Sequence, residues 1–227
     1  MALTKVDKSL LETTSGTPSA STFLRGDGTW DAPASSGFFN VQTPSTGTYT
    51  KTTGTNKIIV EVQAGGGGAG DSNSTWGGNG GGGAYAKQYI DVSAISTATV
   101  AVGGAGAGGT SPQAGGTSSF VCTGVSISCT GGQPGTYNVS HGNGGAGGVA
   151  TASGAHLIIN GQNGGPSYPD GGQGGDSGLG RGGQQPQYNT ASGVNATGYG
   201  GGGGAGTGTS VSGGDGSAGI VIVWEYK

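Results

Sequence analysis

The chain has 227 residues in only 21.4 kDa; 58 are glycine and 31% are hydrophobic without glycine, too little side-chain volume for an ordinary helix-and-sheet core, since globular chains carry roughly 45–50% apolar residues of which glycine is only about 7%, leaving about 40% with apolar side chains. Charged residues make up 8%, the net charge is −3 and the pI is near 5.1, with no Lys/Arg cluster. This excludes a basic surface for nucleic acid or an anionic membrane, and it argues against an extended tail kept open by charge.

The first 33 residues differ from the rest. Leu3, Val6 and Leu10 fall at helical spacing and predict one or two helical turns with a narrow apolar stripe, stopped by TTSGTPS. A stripe this short cannot support a monomer, so it points to pairing with copies of itself or with a partner. STFLRGDGTWDAP (21–33) follows, where Phe23, Leu24 and Trp30 flank Gly26-Asp27-Gly28 and predict a tight hairpin. The opening MALTKV with its polar helix-like continuation resembles the tail-attaching start of some bacteriophage tail fibres and tailspikes. TFLRGDGTW is similar to a motif that recurs in phage tail-fibre shafts.

Beyond it, FFNVQTP and GTYTKTT read as short strands around a turn at 44–47, and KIIVEV (57–62) as a stronger strand rich in β-branched residues. The glycine field starts directly after, in runs such as GGGGAG, GGNGGGGAY and GYGGGGGAGTG. Within it, AYAKQYIDV (84–92) and ATVAVGG (98–104) predict one hairpin, SSFVCTGVSISCTGG (118–132) a second with Gly124 near its turn, and AHLIINGQ (155–162) a lone strand. GIVIVWEY (219–226) closes the field opposite KIIVEV. This order resembles the glycine-rich domain at the distal ends of phage tail proteins, over most of residues 37–227.

Glycine loses more conformational freedom on folding than any other residue, so a tract like this stays disordered unless something holds it. One solution is a three-residue left-handed helix of the polyproline II kind, whose N–H and C=O groups are all free to bond sideways. Collagen is excluded, because GGGGAGDSNSTW breaks the Gly-X-Y period and only 8 prolines are present. The glycine-rich adhesins of phage tails are known for sandwiches of polyglycine II helices that project variable loops from one end. The resemblance therefore implies a mainly β fold with packed polyglycine II helices, a short N-terminal attachment or trimerisation segment and no large α-helical content. The expected division is 1–36 for attachment and 37–227 for the glycine-rich distal domain.

Carried onto this chain, the resemblance makes the non-glycine interruptions at 71–76, 133–141, 162–170 and 184–199 the candidate loops. The residues singled out for receptor binding are Trp76, Tyr137, Asn138, Tyr168, Asp170, Tyr188, Asn189 and Tyr199, because aromatics supply large contact area at modest entropy cost and amides or carboxylates suit glycan hydroxyls or a protein loop. Each aromatic alone reads equally well as a cap buried at the end of a glycine helix; as a set they read as a binding face.

Other signals carry less. GxGxxG matches are expected by chance at this glycine content and no GK[ST] loop accompanies them. Arg25-Gly26-Asp27 reads as a turn before it reads as an integrin tripeptide. Asn73-Ser74-Thr75, Asn138-Val139-Ser140 and Asn195-Ala196-Thr197 match the glycosylation sequon, but ALTKVDKSLLETT is no secretory signal, so they read as unmodified loops. His141 and His156 are too few for a metal site. Cys122 and Cys129 face each other across the predicted hairpin, either as a disulfide or as two small core residues. No histidine sits near a plausible Ser or Cys nucleophile and the carboxylates are scattered, so no catalysis is expected, and no cofactor.

The expectation is thus a non-catalytic phage tail-fibre tip adhesin. It is made in the host cytoplasm, released by lysis and carried on the virion, attached through its N-terminus to tail or baseplate proteins. Its partner is a bacterial surface glycan or outer-membrane protein. The shaft-like motif favours a homotrimer, whereas some glycine-rich adhesins sit as a single copy. The competing expectations are a purely structural tail component and a disordered, silk-like chain.

Overall fold

The computed structural model describes residues 19, 22–24, 29–31, 37–73, 75–139, 141–167, 172–186 and 191–227. The chain divides into two compact units, Met1–Gly37 and Phe38–Lys227. In the first, β1 (Phe23–Leu24) and β2 (Trp30–Asp31) pair antiparallel; the apolar stripe of Leu3, Val6 and Leu10 and the Gly26-Asp27-Gly28 turn lie outside the described residues. Among the described residues the chain is mainly β, without helices and without a closed barrel.

The second unit contains two five-stranded antiparallel sheets. One runs β11 (Leu157–Ile159), β6 (Tyr85–Asp91), β5 (Lys57–Gln63), β14 (Ile220–Tyr226) and β3 (Phe38–Gln42). The other runs β10 (Ala150–Ala152), β9 (Val125–Cys129), β8 (Ser118–Cys122), β7 (Thr97–Ala101) and β4 (Gly47–Thr50). Period-two patterning decides what faces inward. Ile58, Val60 and Val62 of β5 and Val221 and Val223 of β14 are fully buried and pack with Tyr49, Val100, Phe120 and Ile127 of the facing sheet. β5 and β14, the brackets of the glycine field, pair side by side, Val62 opposite Val221 and Val60 opposite Val223. The field therefore leaves the sandwich and returns to it at neighbouring strands.

A buried carboxylate fastens the two sheets. Glu225 on β14 has no exposed surface and accepts hydrogen bonds from Tyr49 Oη (2.6 Å), Thr52 N (2.9 Å), Thr52 Oγ1 (2.6 Å), Asn40 Nδ2 (3.0 Å) and Gln42 Nε2 (3.1 Å). Burial pushes this carboxyl up, but the hydrogen bonds from Thr52, Tyr49 and Asn40 outweigh it and hold its pKa down at about 2. Burial, and then the Glu225 contact, push the Tyr49 phenol above its ordinary range.

Several predicted pairings differ. The 84–92 and 98–104 strands form, but as β6 and β7 in opposite sheets. Val92, buried, and Ile95, packed on the core, anchor the connection as it crosses between sheets. Likewise β3 and β4 are not a hairpin: β3 joins β14 and β4 joins β7. The 155–162 strand is not alone, because 157–159 adds to the edge at β6. Alternation marks a strand and its buried face, but not its partner. The 118–132 hairpin does form, with Gly124 at φ +75° in its two-residue turn. Its register sets Cys122 against Val125 and Ser118 against Cys129, so the cysteines stand at opposite ends of the hairpin and both are free thiols. Cys129 is buried, which pushes its thiol up to about 12.

Stacked on the ends of these strands is a lattice of glycine runs that form neither helix nor strand ladder. Successive runs go alternately away from the sandwich and back. Along 64–72 the N–H groups donate in strict rotation to three neighbouring runs. Residues 64, 67 and 70 bond Ala84, Gly81 and Gly78; residues 65, 68 and 71 bond Gly116, Gln113 and Gly109; residues 66, 69 and 72 bond Ser217, Gly214 and Val211, all at 2.9–3.0 Å. Run 78–84 repeats the rotation, with 78, 81 and 84 bonded to Thr136, Gln133 and Thr130, and 80 and 83 bonded to Gly203 and Gly200. The buried backbone is satisfied sideways rather than by its own run. Such closeness admits no side chain: a Cβ on Gly66 would come within 3.0 Å of Gly201 C and O and of Gly200 O.

Where a polar residue replaces glycine inside the lattice, it completes the bonding. Asn79 is fully buried, donating Nδ2 to Gly165 O (2.8 Å) and accepting Ala205 N on Oδ1 (2.8 Å). Gln63, also fully buried at the junction with β5, donates to the carbonyls of Ala64, Gly83 and Ala84 at 3.0–3.2 Å.

Candidate functional site

The alternation of runs gives the lattice two unlike ends. At one, runs pass into the strands of the sandwich, as 64 follows β5 and 84 precedes β6. At the other, called the tip below, they reverse through short turns. Ser72 exchanges hydrogen bonds with Val211, Trp76 with Val139 and Ala191 with Thr207, and Asp71 N reaches Gly109 O. The turns 71–76, 109–112, 137–141 and 207–210 are thus brought together, and the residues flanking 168–171 and 187–190 return by the same end, with Ser167 N bonded to Gly142 O and Gln185 N to Gly172 O.

Three of the singled-out residues meet here. Asn138, at φ +47°, accepts Asn73 N (3.2 Å), Thr75 N (3.3 Å) and Thr75 Oγ1 (2.7 Å) on its Oδ1. Its carbonyl-like oxygen is spent on tying the 71–76 turn to 137–141, so Asn138 positions the loops. Trp76, half-buried, is the neighbour whose backbone is held by Val139 at 3.0–3.1 Å in both directions. Tyr137, half-buried, lines a cleft of about 270 Å³ together with Asp71, Asn73, Thr110 and Ser210.

Tyr199 lies elsewhere. It belongs to β13 (Thr197–Tyr199), paired with β12 (Leu179–Arg181), and the next residue, Gly200, abuts Gln63 and Ala64 at the sandwich end. It is 44% exposed, but separated from Tyr137 by the length of the lattice. Tyr168, Asp170, Tyr188 and Asn189 lie outside the described residues.

The cleft also contains residues that the aromatic criterion passed over. Thr110 and Ser210 come from the short turns GTSP and TGTS, which contain no aromatic residue. Ser210 sits at φ +59° with its Oγ 3.3 Å from Asn73 Oδ1. Of the described residues, Asn138 and Ser210 are the non-glycine residues with positive φ, and both stand at the tip, where such strain is found in binding loops. The lattice carboxylates hold backbone instead of one another: Asp71 Oδ1 accepts Gly213 N (2.8 Å), Asp215 Oδ1 accepts Gly108 N (2.7 Å) and Asp176 Oδ1 accepts Gly182 N (2.8 Å).

A sandwich that carries a glycine lattice defines a class in which backbone-to-backbone bonding builds the body. Residues 42–226 match the family described as the glycine-rich domain, and the chain belongs to that family. Among curated proteins, none matches the chain.

Proposed function

We propose that the chain is the receptor-binding tip of a bacteriophage tail fibre, a non-catalytic adhesin that recognises a molecule on the bacterial surface. The observation that carries this reading is the convergence of turns 71–76, 109–112, 137–141 and 207–210 on one end of a body whose backbone is bonded on several sides. A scaffold that costs no ordering on contact suits a binding end. The glycine runs are polyglycine II helices in this reading: bonding every third N–H to the same neighbour is what three residues per turn produces, and at roughly 3.1 Å per residue a seven-residue run spans about 20 Å.

Residues 1–36 attach the protein to tail or baseplate proteins and assemble a homotrimer, and residues 37–227 form the distal domain. The resemblance of TFLRGDGTW to shaft motifs supports this part. The protein is made in the host cytoplasm and carried on the virion. Receptor contact is assigned to Trp76, Tyr137, Tyr168, Asp170, Tyr188 and Asn189, with Asn138 holding the loops; Tyr199 stands at the other end and is assigned no contact.

The test is adsorption of the purified full chain to a panel of bacterial strains. Selective binding to some strains, with protection of those strains from the matching phage, is expected. Replacing Tyr137, Tyr168 and Tyr188 together with Ala should lower adsorption at least tenfold. Adsorption to no strain, or to all alike, overturns the proposal.

A further inference from the structure

We infer that the tip cleft is a site for one uncharged sugar ring, with Tyr137 as its stacking face and Asp71, Asn73 and Thr110 as hydroxyl partners; this rests on the receptor-binding reading above. Size is the first argument. At about 270 Å³ the cleft lies at or below the roughly 300–1,000 Å³ of pockets for drug-sized ligands, which suits a single ring rather than an inserted peptide loop.

Lining chemistry is the second. One aromatic ring stands among short polar side chains, a carboxylate, an amide and hydroxyls. Asp71 uses Oδ1 on Gly213 N, which leaves Oδ2 to accept from sugar hydroxyls, and a charged acceptor roughly doubles the strength of such a bond. The Tyr137 ring supplies an apolar face for the C–H side of a pyranose.

Charge is the third argument, and it selects among sugars. The tip turns DSNSTW, GTSP, YNVSH and TGTS contain no Lys or Arg. The cations of 38–227 are Lys51, Lys57, Lys87, Arg181 and Lys227, carried on or beside strands of the opposite end. A uronic acid, a sialic acid or a phosphorylated sugar would bring its charge beside the Asp71 carboxylate with no Lys or Arg in these turns to pair it, so acidic glycans are disfavoured against neutral ones.

Saturation-transfer NMR on the full chain tests this with methyl α-glucoside, methyl β-galactoside and methyl N-acetyl-β-glucosaminide against glucuronic acid and N-acetylneuraminic acid. Transfer to ring protons of at least one neutral glycoside and to neither acid is expected. Tyr137→Ala should weaken it at least tenfold, while Tyr199→Ala leaves it unchanged. Thr110→Trp, at an exposed position on the cleft wall, should abolish it without touching the core. Transfer to the acids, transfer to none of the sugars, or transfer that survives both Tyr137→Ala and Thr110→Trp overturns the inference. A chain that adsorbs to bacteria but takes no neutral sugar overturns the sugar site alone, whereas a chain that adsorbs to none overturns the adhesin reading itself.

Discussion

In the sandwich, Ile58, Val60 and Val62 are buried by apolar side chains reaching across from the facing sheet. One residue past Gln63 the chain is just as buried, yet 65–68 has no side chains at all. The first region excludes water with side-chain volume, at roughly 25 cal/mol per Å² of apolar surface. The second excludes it by bringing backbones so close that each N–H finds a carbonyl on a neighbouring run, which offsets part of the entropy glycine loses on folding. The two regions therefore differ in what they tolerate: the sandwich can lose a methyl group and relax, whereas the lattice cannot gain one.

The largest expected effect comes from adding that methyl. Gly66→Ala would set a Cβ within 3.0 Å of Gly201 C and O and Gly200 O, all backbone atoms of one packed run. Relief requires that run to move, which breaks bonds such as Gly83 N to Gly200 O and Ser217 N to Gly201 O. The variant should lose more than about 4 kcal/mol or fail to fold. Phe120→Ala, which deletes the bulk of a side chain 1% exposed in the sandwich, should cost about 3–5 kcal/mol and still yield folded protein. Urea unfolding of both variants measures the difference. If Gly66→Ala is the milder, the lattice is not the close-packed body described.

An intermediate effect probes the polar fastener of the sandwich. Because the Glu225 pKa is lowered from 4.5 to about 2, its contribution to stability is present above pH 4.5 and is lost as pH falls toward 2. At pH 3 the loss relative to neutral pH should be about 2 kcal/mol from this group. Glu225→Gln should cost about 2–3 kcal/mol at pH 7, since an amide N–H then faces donors such as Thr52 Oγ1 and Asn40 Nδ2. It should also remove about 2 kcal/mol of the acid sensitivity. Unfolding curves at pH 7 and pH 3 for both proteins test it, and an unchanged acid sensitivity would place the fastener elsewhere.

The same contrast explains how far the sequence could be read. Strands in the sandwich announce themselves through alternation, as KIIVEV and IVIVWEY do. Their partners do not, because β6 and β7 obey the same pattern whether they face each other or face opposite sheets. In the lattice the reverse holds. The reversals between runs are legible as interruptions such as DSNSTW, but GTSP and TGTS look like the runs themselves. That is why Thr110 and Ser210 escaped a search for aromatics, and why Tyr199, an aromatic in an equally glycine-rich setting, drew attention from the wrong end. The signal that could have separated them is direction: each run reverses the last, so turns alternate between tip and sandwich, and a count of runs from β5 assigns every turn to an end.

The smallest expected effect is the most discriminating for the lattice. Gly104 lies in the run after β7, is exposed, has nothing within 4 Å of a Cβ placed on it, and its φ is not in the left-handed region. Its carbonyl still accepts from Gly116 N at 2.8 Å, a bond that alanine keeps. Replacing Gly with Ala where the conformation allows it reduces the entropy of the unfolded chain and is worth about 0.4–1 kcal/mol in favour of folding. Gly104→Ala should therefore be neutral or slightly stabilising, within about 1 kcal/mol, while Gly66→Ala should lose more than about 4 kcal/mol or fail to fold. Both replace a glycine in a run of the same lattice, so intrinsic propensity predicts similar outcomes, and only close backbone approach separates them. Equal destabilisation of the two would mean that glycine serves the lattice through its flexibility and not through its lack of a side chain.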